Sequence, residues 1–127
     1  MPALDDAFGI HARAVSVRAA RAELLATNMA NADTPGYRAR DIDFKDVFGD
    51  AAAGLATSHS KHQRFAGHTT QGYAIKYRQP LHGSLDQNTV DAQAERAEFL
   101  DNALRYQASI TFLNGRISGL LSALRGE

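Results

Sequence analysis

Apolar residues recur at steps of three and four through the start of the chain: Leu4, Phe8, His11, Val15, Ala19, Ala22, Leu25 or Ala26, and Met29. That spacing puts them on one face of an α-helix, which is expected to end near residues 28–31. Asp5 and Asp6 fall in its first turn, where negative charge is favourable. Alanines at 12, 14, 19, 20, 22 and 26 keep the cylinder thin and allow a neighbour to come close. Arg13, Arg18 and Arg21 fall largely off the stripe.

The pattern breaks at Asn31-Ala32-Asp33-Thr34-Pro35-Gly36-Tyr37. Asn31 and Asp33 can cap or bend backbone with their own side chains. Pro35 forbids a continuing helix and Gly36 permits positive φ. Thr34, before a proline, is pushed towards extended geometry. Pro35-Gly36 fits the centre of a type II turn. The residues then alternate from Arg38 to Phe44, with Ile42 and Phe44 on one side and Arg40, Asp41 and Asp43 placed for solvent. Phe44 to Phe48 can form one helical turn, stopped by Gly49. Residues 50–72 are rich in Ala, Gly, Ser, Thr, Gln and His, which reads as a mobile loop. Tyr73, Ile75 and Tyr77 at period two predict a strand ended by Pro80.

After a turn region at 81–88, helical spacing returns from about Thr89 to Leu124. Ala92, Phe99, Ala103, Tyr106, Ile110, Leu113, Ile117, Leu120 and Leu124 form a heptad-like seam, interrupted where Arg96 takes an expected slot. Asn88, with Asp91 three residues on, resembles an N-cap, and Gly126 a C-terminal stop. A flanking line of Leu100, Leu104, Ala108, Thr111 and Leu121 widens the stripe. The expected fold is mainly α. Long N- and C-terminal helices form an antiparallel coiled-coil hairpin, with a central extended or short β segment and a flexible loop. Residues 1–31 plus 89–127 make the helical domain and 32–88 the linker, loop and β region. The short first helix covers only one side of the broad stripe, so apolar surface is left for partners. The isolated subunit is expected to be poorly ordered at both ends and to fold fully on assembly.

Composition narrows the chemistry. A chain of 127 residues with a formal net charge of zero is one domain without a global field for nucleic acid or anionic lipid. Without cysteine there are no disulfides, thiolate metal sites or cysteine nucleophiles. No apolar run approaches the roughly 18 residues of a membrane span, and the acidic start does not read as a secretory signal. His59 and His62, with His68 and His82 further on, lie among Ser, Lys and Gln with no carboxylate to orient a ring, so a solvated loop is the better reading. His11 lies on an apolar face, as a packed or interface histidine would. The pairs Asp41/Asp43 and Asp5/Asp6 read as solvated charges and caps rather than an acid/base pair in a cleft. No phosphate loop or nucleophile elbow occurs. Lys76-Tyr77-Arg78 beside Tyr73 is better read as a sheet edge than a nucleic-acid face. The residues therefore point to a non-enzymatic chain without cofactor or metal.

The stretch Asn28-Met29-Ala30-Asn31-Ala32-Asp33-Thr34-Pro35-Gly36-Tyr37, continued by Arg38-Ala39-Arg40-Asp41-Ile42-Asp43-Phe44, resembles the signature of the rod proteins in the bacterial flagellar axial family. The run from Asp101 to Gly115 resembles the proximal rod subunits of that family. The resemblance covers residues 3–48 and 85–125. The family usually has Asp-Gly-Asn before the last helix, where this chain has Asp86-Gln87-Asn88. The resemblance implies a structural subunit, exported by the flagellar type III apparatus without a cleaved signal and assembled in the periplasm into a hollow rod. Its implied partners are itself, other rod proteins, the membrane-ring adaptor protein and the export apparatus, with no nucleic acid and no membrane insertion. The terminal helices would form an inner layer, and the stretch after Pro35-Gly36 would pass outward. Phe44 and Phe48 fit the short export signal of such subunits, and fit plain core residues equally. The expected subunit interface is Phe8, Val15, Leu25, Tyr106, Ile110, Leu113, Ile117, Leu120 and Leu124. The expected signature turn is Asn31, Asp33, Pro35, Gly36 and Tyr37. A cytoplasmic helical adaptor or secretion chaperone is the rival reading, and a small hydrolase using the loop histidines a weaker one.

Overall fold

The computed structural model describes residues 2–47, 69–70, 73–80 and 82–126. Phe48, the Phe8 side chain, His59, His62, His68 and nearly all of the 50–72 loop lie outside the described residues. Helix α1 spans Pro2–Ala30 and helix α2 spans Ala92–Arg125. Between them lie strands β1 (Arg40–Ile42), β2 (Thr69–Thr70) and β3 (Tyr73–Tyr77). The helices run antiparallel, with Asn28 of α1 beside Glu95 of α2 and Arg18 beside Ser109. The mainly helical hairpin read from periodicity is the observed architecture.

The strands form an antiparallel sheet in the order β1-β3-β2. Arg40 pairs with Tyr77, Asp41 with Lys76 and Ile42 with Ile75. Thr69 and Thr70 pair with Ala74 and Tyr73, so the end of the expected loop joins the sheet. Residues 44–47 form the expected helical turn, capped by the Asp43 carboxylate, which accepts the Lys45 N–H at 2.9 Å.

The apolar core is not between the helices. Val17, Ile42, Val47 and Tyr73 are buried together, with Ala20, Leu24 and Phe44 packed against them. Val17, Ala20 and Leu24 make a stripe of α1 that faces the sheet. The Tyr73 hydroxyl is satisfied by Ser16 Oγ at 2.9 Å. A second stripe of α1 faces α2, and it contains Leu25 and Asn28, both fully buried. Helix α1 is thus covered on two sides, which one periodic line in the sequence could not show. Ala19, on the expected stripe, is exposed. Arg18 and Arg21 are not peripheral to it: they turn in towards α2 and β1.

The start of α2 also departs from expectation. Its N-cap is Asp91, whose carboxylate accepts the N–H groups of Gln93 and Ala94. A charged acceptor suits the positive helix end. Gly126 closes α2 at φ +74, its N–H donating to Ser122 O. At 34 residues, α2 is about 50 Å long.

Candidate assembly interface

The signature corner begins where α1 ends. Asn31 Nδ2 donates back to Thr27 O at 2.8 Å, and its Oδ1 accepts the Thr34 hydroxyl at 3.1 Å. Tyr37 N–H then reaches Thr34 O at 3.2 Å across Pro35-Gly36, and Gly36 sits at φ +72. That is the expected type II turn, which needs positive φ at its third residue. Pro35 and Asp33 are exposed at its tip.

The corner is held from far along the chain. Asn88, which replaces no cap, points its Nδ2 at Ala32 O (2.7 Å), Thr34 O (2.9 Å) and Asn31 O (3.1 Å). Carbonyls of the corner that follows α1 are therefore gathered by a side chain some 55 positions later. Gly36 N–H donates to Asp86 O, Thr89 N–H to Tyr37 O, and Ala39 N–H to Thr89 Oγ1. Gln87 stands where the resembling family has glycine, and it keeps the left-handed conformation at φ +60.

Below the corner lies a buried polar cluster. Arg21 forks onto Asp41, with Nε at 2.8 Å from Oδ1 and Nη2 at 2.9 Å from Oδ2, and also reaches Glu98 at 2.8 Å. Arg78 bridges Asp41 at 2.6 Å and Glu95 at 2.5 Å. Asp41, expected to face solvent, is instead gripped by two guanidinium groups. Burial works to raise its carboxyl, but the hydrogen bonds from Arg21 and Arg78 prevail and hold it below the ordinary carboxylate range. The Asp41 hydrogen bond, ahead of all else, moves Arg21 above its ordinary value. Glu95 is only 1% exposed. Burial pushes it upward, against the Asn28 hydrogen bond and the Arg78 charge.

Asn28 ties this cluster to β1. Its Oδ1 accepts the Arg40 N–H at 3.0 Å, and its Nδ2 donates to Arg40 O at 2.8 Å and to Glu95 Oε2 at 3.1 Å. Further along, Asn102 is buried with its Nδ2 on Arg18 O at 2.8 Å, and its Oδ1 has no partner. None of Asn28, Asn88, Glu95 and Asn102 was singled out as a site residue from the sequence. For the three helix residues the signal was polarity at helix-face positions that periodicity treats as errors, whereas Asn88, in the turn, reads in the sequence only as a cap of the second helix.

Large apolar residues line part of the hairpin and stay exposed on part of α2. Leu25 is fully buried, and Val15, Tyr106, Ile110, Leu113 and Leu120 are half-buried along the hairpin. Ile117 and Leu124 of the same expected seam are 41% and 83% exposed. Leu100, Leu104, Phe112 and Leu121 are also exposed. A groove of about 690 Å³ beside Phe112 is walled by His11, Gly115, Arg116 and Leu120. Phe44 is half-buried on the core cluster, under the guanidinium groups of Arg18 and Arg21 at 4.8 and 5.6 Å from its ring centre. Among the described residues no group of histidines and acids is placed to hold a metal ion, and no helix is long and apolar enough to cross a membrane.

A helical hairpin with large apolar residues exposed along its second helix and its corner clasped by polar contacts has the form of a structural subunit that packs against others. Comparison with known proteins makes the assignment particular. The flagellar basal body rod protein FlgB of Aeromonas hydrophila is 52% identical over 128 residues, covering 97% of this chain and 96% of that protein. FlgB of Cereibacter sphaeroides is 45% identical over the whole of both chains, and FlgB of Salmonella typhimurium is 40% identical over 97% of this chain and 96% of its own. The chain belongs to the FlgB family of flagellar basal body rod proteins. No protein-family model matches it.

Proposed function

We propose that this chain is a structural subunit of the proximal rod of the flagellar basal body. It leaves the cell body through the flagellar type III apparatus without a cleaved signal and polymerises in the periplasm, with itself and other rod proteins, into the hollow drive shaft. The adaptor protein of the membrane ring is its neighbour at the base. Residues 1–31 and 89–127 supply the inner helical layer, and residues 32–88 turn outward at Pro35-Gly36. The observation that carries this reading is the set of large apolar residues left exposed on α2, in a chain that matches FlgB rod proteins along its full length. No chemistry in a single subunit is required, because torque passes through many interlocked copies. Phe44 and Phe48 remain the proposed export signal. Since Phe44 is packed on the core cluster, it would be read on an unfolded chain.

The test is complementation of a strain lacking this chain. The wild-type chain is expected to restore swimming and to copurify with basal bodies. Ile117→Asp, at an exposed position, is expected to leave the folded monomer intact and abolish both. A chain that stays in the soluble fraction would instead be an adaptor or chaperone, and a swimming Ile117→Asp strain would remove Ile117 from the interface.

A further inference from the structure

The contacts divide the molecule into two parts joined in different ways. Helix α1 and the sheet share the buried apolar cluster of Val17, Ile42, Val47 and Tyr73. The first half of α2 and the turn before it meet that unit mainly through polar groups. Asn88 gathers the corner carbonyls, Asp86 and Thr89 hold the corner backbone, and Glu95 binds Asn28 and Arg78. Glu98 binds Arg21, and Asn102 binds Arg18 O. Among the described residues, the fully buried side chains at this junction are the apolar Leu25 and Ala39 and the polar Glu95, Asn28 and Asn102.

We infer that residues 86–102 form a releasable clasp, and that the hairpin opens there while α1 and the sheet stay together. Three observations support it. Polar contacts are exchanged for water at little net cost, whereas the apolar cluster cannot be exposed so cheaply. Asn102 Oδ1 is buried without a partner from the chain itself, so the closed junction leaves an acceptor that no other protein group holds in place. The junction is also not continued by a broad core, since Leu100 and Leu104 face away from α1 and are exposed. Opening frees Tyr106, Ile110 and Leu113, half-buried against α1, for another helix. The clasp thus lets a subunit change helical partners without unfolding its core. This holds for the isolated chain whether or not it is a rod subunit, so the test below is separate from the complementation test.

Hydrogen exchange on the full-length chain decides it. The Gly36 and Ala39 amides report the corner, residues 96–102 report α2, and the Arg78 amide, bonded to Ala39 O, reports the sheet. In Asn88→Ala and Glu95→Ala, which remove the Asn88 contacts to the corner carbonyls and the Glu95 contacts to Asn28 and Arg78, exchange at the corner and in α2 is expected to quicken at least tenfold, with the β3 amides of residues 74–77 unchanged. If β3 amides quicken by the same factor, the molecule opens as one unit and the inference fails. Unchanged exchange at every site also overturns it. Should Asn88→Ala fail to fold, Thr89→Val, which deletes only the acceptor for Ala39 N–H, is read by the same two criteria.

Discussion

At the scale of single residues, the polar cluster makes a signed prediction about pH. Asp41 titrates below its ordinary value when folded, so it stabilises the fold above about pH 4 and that contribution is lost as pH falls through its folded value. Glu95 has the opposite sign. Its folded value lies above the ordinary one, so keeping it charged is a liability at neutral pH, relieved as pH falls through that raised value. Urea unfolding of wild type against Glu95→Gln should therefore show wild type gaining on the variant as pH falls from 7 towards the ordinary glutamate value of about 4.3. Against Asp41→Asn, wild type should keep its advantage over that range and lose it below pH 4. Gln87 gives a second prediction. A non-glycine residue in the left-handed region costs roughly 1 kcal/mol, partly offset in glycine by extra unfolded-state freedom. Gln87→Gly is expected to stabilise by about 0.5 kcal/mol, seen as a raised urea midpoint with unchanged slope. At this scale the sequence was half legible. Pro35 and Gly36 announced their turn because backbone restriction is local. Asn88 and Glu95 did not, because the contacts that bury them reach across the chain: Asn88 to Thr34 is 54 positions and Glu95 to Asn28 is 67.

At the scale of elements, both helices were legible and their packing faces were not. Periodicity finds one amphipathic line per helix, and α1 has two working faces. Val17 and Leu24 serve the sheet, while Leu25 and Asn28 serve α2. Asn28 is invisible to a hydrophobic pattern although it is fully buried. Strand β3 was legible from Tyr73, Ile75 and Tyr77. Strand β2 was not, because two threonines in a polar stretch carry no pattern and are defined only by pairing with Ala74 and Tyr73. The start of α2 was misplaced by three residues for a related reason. Asn88 and Asp91 are both good caps, and only the folded corner decides that Asn88 serves the corner after the other helix.

At the scale of the whole molecule, the excess apolar surface of α2 was the most legible feature and the most consequential. A flanking line around Leu100 and Leu104 could not be covered by one thin helix, and both side chains are indeed exposed. Burying a Leu or Ile fully is worth about 1.5–3 kcal/mol. Five or six such residues are therefore a large reserve for association, while their replacement changes the free subunit little. That asymmetry is why Ile117→Asp is expected to separate assembly from folding.

A last consequence follows from the way Asn28 meets β1. Its carboxamide accepts from and donates to the same residue, Arg40, as a neighbouring peptide group would. Helix α1 thereby occupies the outer edge of the sheet, the place where a stray strand from another molecule would otherwise add. A chain proposed to pack among copies of itself is thus steered from cross-β fibrils. In Asn28→Ala the Arg40 N–H and C=O lose that cover, and thioflavin-positive aggregates are expected to form at concentrations where wild type stays clear.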